Sequence, residues 1–142
     1  MHILDTDHKI LCVDDDESQI EIYKTIFDKL QSKVDFFVSS EEAIKAANIF
    51  SYHLVITDLN MPKYNGIDVY HEINKICISK NVKSPKFMLV TGAEEVIKSQ
   101  FPSSNFNLAF IYKNIGFSSY FSKPFNYEVF FEECLYLLTT DI

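Results

Sequence analysis

Three consecutive acids, Asp14, Asp15 and Asp16, follow the apolar run KILCV (9–13), and Asp58 closes a second such run, LVITD (54–58). Ending a buried strand on a carboxylate is costly unless a nearby cation neutralises it. Several carboxylate oxygens without histidine or thiol favour a hard ion, and Mg²⁺ takes one or two carboxylates while keeping waters that a phosphate can displace. Asp15 and Asp58 can bind such an ion directly, with Asp14 reaching it through water. Lys123 can offset the remaining negative charge as a compact ammonium. A carboxylate held beside Mg²⁺ and lysine is a nucleophile toward phosphorus, since aspartate forms aspartyl phosphates. Phosphoryl transfer needs mainly in-line positioning and charge neutralisation, and this set supplies both.

Taken singly, each residue has a plainer role. Asp16 suits the N-cap of a first helix, a role also open to Asp15. Asp58 can start a turn, Lys123 can be a surface lysine and Thr91 an ordinary strand threonine. Only an arrangement that gathers them makes a site, so the elements that carry them decide the matter.

Short apolar runs alternate with helix-period segments along the chain. Strands are expected over 9–13, 34–38, 54–58, 86–91 and 120–122. The first helix carries Ile20, Tyr23, Phe27 and Leu30 on one stripe. Ser39, three residues before Glu42, signals a capping box that opens a second helix running to about residue 48. A third helix begins near Ile67, after Asn65-Gly66, and ends near Ile78. Asn126 caps a last helix whose Phe130, Cys134, Leu137 and Leu138 share a face. This pattern predicts an α/β fold with a doubly wound, five-stranded parallel sheet in the flavodoxin-like order 2-1-3-4-5. A closed barrel would need eight strands and about 250 residues. Ligands of such sheets bind beyond the carboxyl ends of the strands, where the strand order reverses between strands one and three. The Asp14–Asp16 run, Asp58, Thr91 and Lys123 all stand at that rim.

With these residues in place, the chain resembles the CheY-like receiver domains of two-component response regulators. The matching stretches are LCVDDDE (11–17), VITDLNMPKYNG (55–66), MLVTG (88–92) and YFSKPF (120–125), and the likeness covers about residues 9–139. The resemblance implies that Asp58 accepts a phosphoryl group from a phosphohistidine on a sensor histidine kinase or histidine phosphotransfer protein. It implies that Asp14 and Asp15 form the acidic pair for Mg²⁺, joined by Asp58 and the backbone carbonyl of Asn60. Thr91 would hydrogen-bond the phosphoryl oxygen and Lys123 would pair with it, across a cis Lys123-Pro124 bond. Tyr120 would be the aromatic switch, turning inward as Thr91 is drawn to the phosphate. A downstream protein would then read the face built from the fourth helix, strand five and the last helix. A monomer or weak homodimer is expected, acting on no substrate but its own phosphorylation and dephosphorylation.

Two features depart from the family pattern. The stretch between Thr91 and Gly116 is long, which predicts an enlarged region between the fourth strand and fourth helix, with an insertion around 94–104 and a helix over 105–114. The sequence also stops soon after the last helix, so the expectation is an extension over 1–8 and a single receiver over 9–142 without an output domain. Aromatics concentrate after residue 100, which makes Phe106, Phe110, Tyr112, Phe117 and Tyr127 candidates for a docking surface. Asn60 and Ala93 hold positions that tune phosphate lifetime in the family. The histidines His2, His8, His53 and His71 are scattered and receive no role.

Rival readings meet specific residues. A haloacid-dehalogenase-type phosphatase places an acid two residues after its nucleophile, and Asn60 cannot transfer that proton. A flavin mononucleotide module wants a phosphate-cradling loop after strand one, whereas DDDES (14–18) repels phosphate. A phosphorylation-independent receiver-like binding module would have lost part of the set, which here is intact. The net charge of −7 opposes nucleic acid and anionic membrane surfaces. No run approaches the roughly 18 apolar residues of a membrane span, and no export signal opens the sequence. Cys12, Cys77 and Cys134, widely spaced, are read as reduced core thiols of a cytoplasmic protein.

Overall fold

A computed structural model describes residues 8–92 and 114–140, with residues 31 and 32 described in backbone only. Five parallel strands form one sheet in the order β2-β1-β3-β4-β5, as the sequence pattern predicts. They are β1 (Ile10–Val13), β2 (Val34–Phe37), β3 (Leu54–Thr57), β4 (Lys86–Thr91) and β5 (Ser119–Ser122). The helices are α1 (Glu17–Ile26), α2 (Ser40–Ile49), α3 (Gly66–Lys80) and α4 (Tyr127–Thr139), with a 3₁₀ turn at Asp28–Lys33.

The central strands β1 and β3 are buried throughout because both sheet faces are covered, and every position but Thr57 is apolar. Their alternation sorts the side chains into two cores. On one face Leu11, Val13, Val55 and Leu89 meet α2 and α3, where Ala43, Ala46 and Ala47 let the α2 backbone lie close to the sheet. On the other, Ile10, Cys12, Ile56 and Val90 meet Ile20 and Tyr23 of α1 and Phe130 and Cys134 of α4. The Tyr23 and Phe130 rings stack there at 5.7 Å. All three cysteines are free and buried.

Helix boundaries follow their caps. Asp16 caps α1, Ser39 caps α2, Asn65 caps α3 and Asn126 caps α4, each side chain accepting a first-turn N–H. The reciprocal box forms at Asn65 and Asp68; Ser39 accepts from Glu42 N. At the other end of α3, Asn81 adopts the left-handed conformation (φ 57°) that asparagine tolerates.

Some expectations need correction. The α1 stripe does not run on to Leu30: α1 ends at Ile26, and Leu30 lies in the 3₁₀ turn with a non-helical φ of −125°. Phe117 is not a docking residue. It is buried between Tyr70 and Phe87, at ring distances of 5.2 and 6.2 Å. Tyr127 is exposed. The expected insertion at 94–104, Ala93, Phe106, Phe110, Tyr112 and all but the last residue of the helix expected over 105–114 lie outside the described residues, as do the expected extension's first seven residues.

Candidate functional site

Strand order reverses between β1 and β3, and the crevice beyond their carboxyl ends is bounded by Asp14 and Asp58. Both acids are fixed through the main chain. Asp14 N donates to Phe37 O and Asp58 N to Val13 O, each at 3.1 Å, which carries the sheet ladder one residue past the strands. Lys123 arrives from the far side of the sheet, held by its own N–H to Thr91 O at 3.1 Å and followed by a cis bond to Pro124.

These anchors bring the side chains together. Lys123 Nζ donates to Asp14 Oδ2 at 2.7 Å and lies 3.7 Å from Asp58 Oδ1. Asp14 is fully buried, and its other oxygen accepts from Asp16 N at 2.9 Å. Burial pushes the Asp14 carboxyl above its usual range, against the pull of Lys123 and the Asp16 N–H. Asp58 is pushed up to about 6, first by burial and then by the Asp14 charge; Lys123, the Leu59 N–H and the Thr91 hydroxyl oppose the rise. The two carboxylates are thus crowded in a partly dry crevice with one ammonium between them.

Asp15 is exposed, and one carboxylate oxygen each from Asp14, Asp15 and Asp58 lie within 4.8 Å of one another. Among the described residues, three carboxylates face a single lysine, which leaves an uncompensated negative charge. Oxygen donors of this kind and spacing fit a hard divalent cation. Asp16 points elsewhere: its carboxylate takes the Ser18 N–H and hydroxyl at 2.9 and 2.7 Å, which lowers its pKa. Thr91 is fully buried at the end of β4, and Asn60 is exposed two residues past Asp58. Tyr120, half-buried on β5, shares a 2.7 Å hydroxyl contact with Ser122.

Two supporting residues escaped the sequence reading. The buried Thr57 hydroxyl donates to the Asp58 carbonyl at 2.9 Å. A Cβ on Gly66 would sit 2.3 Å from that same carbonyl oxygen. Gly66 N also donates to Leu59 O at 2.9 Å, so the chain after Asp58 doubles back tightly onto the start of α3. The Asn65-Gly66 pair marked a turn; nothing in its spacing marked this contact.

The family model for the response regulator receiver domain matches residues 10–134. Among curated proteins, the chain is 36% identical over 88 residues to a CpxR homolog, a transcriptional regulatory protein of Haemophilus influenzae, covering 62% of this chain and 36% of that one. It is 25% identical over 99 residues to the autoinducer 2 sensor kinase/phosphatase LuxQ of Vibrio vulnificus, covering 70% of this chain and 11% of the other. The chain therefore spans about a third or less of these relatives' length. Similar folds include a CheY-like receiver domain protein of Methanospirillum hungatei JF-1 (TM-score 0.72, 22% identity, 94% of each chain). Another is the signal receiver domain of an HD domain-containing protein of Pseudomonas fluorescens Pf-5 (TM-score 0.73, 20% identity, 94% of this chain and 88% of that one). No described helix is long and apolar enough to cross a membrane.

Proposed function

The chain belongs to the response regulator receiver domain family, the signalling modules of two-component systems, and from that premise we propose that Asp58 is its phosphoacceptor. An Asp58 carboxylate oxygen attacks phosphorus, the phosphorus–nitrogen bond of a phosphohistidine breaks, and the imidazole leaves with the bond's electron pair. The product is an aspartyl phosphate. The donor histidine belongs to a sensor histidine kinase or phosphotransfer protein, a reading favoured by the sensor kinases among the relatives.

Asp14, Asp15 and Asp58, with the Asn60 backbone carbonyl, would hold Mg²⁺. When bound, the ion supplies positive charge against the phosphoryl oxygens. Lys123 neutralises the incoming group and holds Asp14 in place. Thr91 hydrogen-bonds a phosphoryl oxygen, and its inward movement makes room for Tyr120. A downstream protein reads the altered face around β5 and α4, and the chain catalyses only its own phosphorylation and dephosphorylation. The observation that carries this reading is the shared Lys123 contact to Asp14 and Asp58 at the sheet's switch point.

The test is intact-mass measurement after incubation with acetyl phosphate and Mg²⁺. One phosphoryl group should be gained, stable to acid and labile to base, and Asp58→Asn should not gain it. Equal labelling of that variant would place the acceptor elsewhere.

A further inference from the structure

At the end of the sheet opposite Asp58, charge of the other sign collects. A cavity of about 280 Å³ opens there, lined from the segments before β3 and β4 and from the end of α4. Its cationic and imidazole side chains are Lys83, Lys86, His8 and His53, and Ser51 and Ser84 also line it. Among the described residues no carboxylate side chain lines it, in a chain whose net charge is −7.

The cavity is built rather than incidental. Lys86 Nζ is held by the carbonyl and hydroxyl of Thr140, the latter at 2.7 Å. His53 Nδ1 accepts the Lys9 N–H at 3.1 Å, which leaves Nε2 as the donor in the neutral ring. The His8 ring lies 5.2 Å from that of His53, and its buried Nδ1 has no hydrogen-bond partner among the described residues. Such orphaned buried nitrogens are rare and point to a missing acceptor or donor. Thr140 and the Tyr52 ring complete the lining with the apolar Val82, Leu137 and Leu138.

We propose that this cavity binds a small phosphate monoester, its head toward Lys83, Lys86 and the two histidines and its body against Tyr52, Leu137 and Leu138. Two lysines with imidazole and hydroxyl donors suit a dianion with three exposed oxygens better than a single carboxylate. The volume falls just below the range usual for ligand sites, about 300 to 1,000 Å³, and so admits one ring or a short chain. The Asp14–Asp58 crevice repels such an anion unless a metal intervenes, so the two ends of β3 separate their ligands by charge.

The test is an NMR titration of the full chain with phenyl phosphate in EDTA, where the Asp58 end has no divalent ion. Saturable amide shifts at His53, Lys83, Ser84 and Lys86 are expected. Lys83→Gln should weaken binding about tenfold, the loss of one charge-assisted contact, without unfolding a protein in which Lys83 is exposed. Inorganic phosphate, lacking the body, and benzoate, lacking the dianion, should both bind more weakly. The proposal is overturned by shifts that never saturate, that persist undiminished in Lys83→Gln, or that centre on Asp14 and Asp58. Benzoate or inorganic phosphate binding as tightly as phenyl phosphate would equally defeat it.

Discussion

Lys123 Nζ stands 2.7 Å from Asp14 and 3.7 Å from Asp58, so one ammonium is shared unequally between two buried carboxylates. The shorter contact goes to Asp14, the acid with no solvent exposure. Removing one partner of a buried pair strands the other charge, at a cost of about 3–5 kcal/mol when both are fully enclosed. Lys123 is partly exposed, so water replaces some of its contribution. Lys123→Ala should therefore lose about 2–4 kcal/mol at pH 7.5. The Asp58 carboxyl, raised to about 6, takes up a proton between pH 7.5 and pH 5, so less charge is stranded and the loss should shrink at pH 5. Urea denaturation at the two pH values checks this; an equal loss at both would clear the ion pair of responsibility.

Asp58 gives the opposite sign. Its carboxyl moves from 3.8 to about 6 on folding, so the folded state binds that proton more tightly than the unfolded chain does. The stabilisation it brings is complete below about 3.8 and is lost as pH rises through about 6. Asparagine keeps the shape without the charge. Asp58→Asn should therefore gain about 1–3 kcal/mol above pH 7 in EDTA, a figure reduced for partial solvent access, and almost nothing at pH 4. Thermal melts across that range would show the gain growing with pH; a gain independent of pH would mean the Asp58 charge is not what costs stability.

The same crowding predicts stabilisation by Mg²⁺. An ion bound only by the folded chain adds about 2.7 kcal/mol at a hundred times its dissociation constant. The added stability should fall as pH drops below about 6, where protons compete for Asp58. Asp15→Asn should remove most of the metal effect while leaving stability in EDTA nearly unchanged, because Asp15 is exposed. Melts with and without Mg²⁺ decide it. A full Mg²⁺ shift in Asp15→Asn would take Asp15 out of the ligand set.

How much of this was legible in the sequence differs from residue to residue. The strands announced themselves because β1 and β3 are buried on both faces and so are apolar at every position up to Thr57. The crevice followed from topology, since parallel order places Asp14, Asp58, Thr91 and Lys123 at one rim. What periodicity missed depends on close three-dimensional approach. Leu30 fits the helical stripe by spacing, yet the chain tightens into a 3₁₀ turn before reaching it. Phe117 was one of several aromatics whose spacing left a docking surface and core packing both open, and the Tyr70 and Phe87 rings reveal its burial. His53 and Lys86, in separate strand-entry segments, carry no motif; the sheet register alone, with Lys86 N donating to His53 O, sets them side by side.

Thr91 and Tyr120 sit on neighbouring strands, Thr91 paired with Ser122 and Leu89 with Tyr120 in the β4–β5 register. A threonine drawn toward a phosphoryl group on Asp58 would change the space beside the Tyr120 ring. Thr91→Ala should still gain the phosphoryl mass, because the proposed nucleophile is Asp58. Beryllofluoride, a stable mimic of the acyl phosphate, should then shift Tyr120 and Ser122 resonances in the parent chain and far less in Thr91→Ala. Undiminished shifts in the variant would separate the Tyr120 response from Thr91.

Gly66 and Gly92 both border the site, and only one of them has no room for a side chain. A Cβ at Gly66 would lie 2.3 Å from the Asp58 carbonyl oxygen and 3.2 Å from Leu59 Cα, both backbone atoms that cannot rotate away. The Gly66 N–H to Leu59 O bond would have to open as well. A Cβ at Gly92 would meet Lys123 Cβ at 3.8 Å, an ordinary contact. Gly66→Ala should thus lose about 1–3 kcal/mol by overpacking and slow acetyl phosphate labelling, because Asp58 is displaced with its carbonyl. Gly92→Ala should keep parental stability and labelling. Denaturant melts and a labelling time course on both variants check the contrast, and a Gly66→Ala protein that labels at the parental rate would show that the tight turn does not position Asp58.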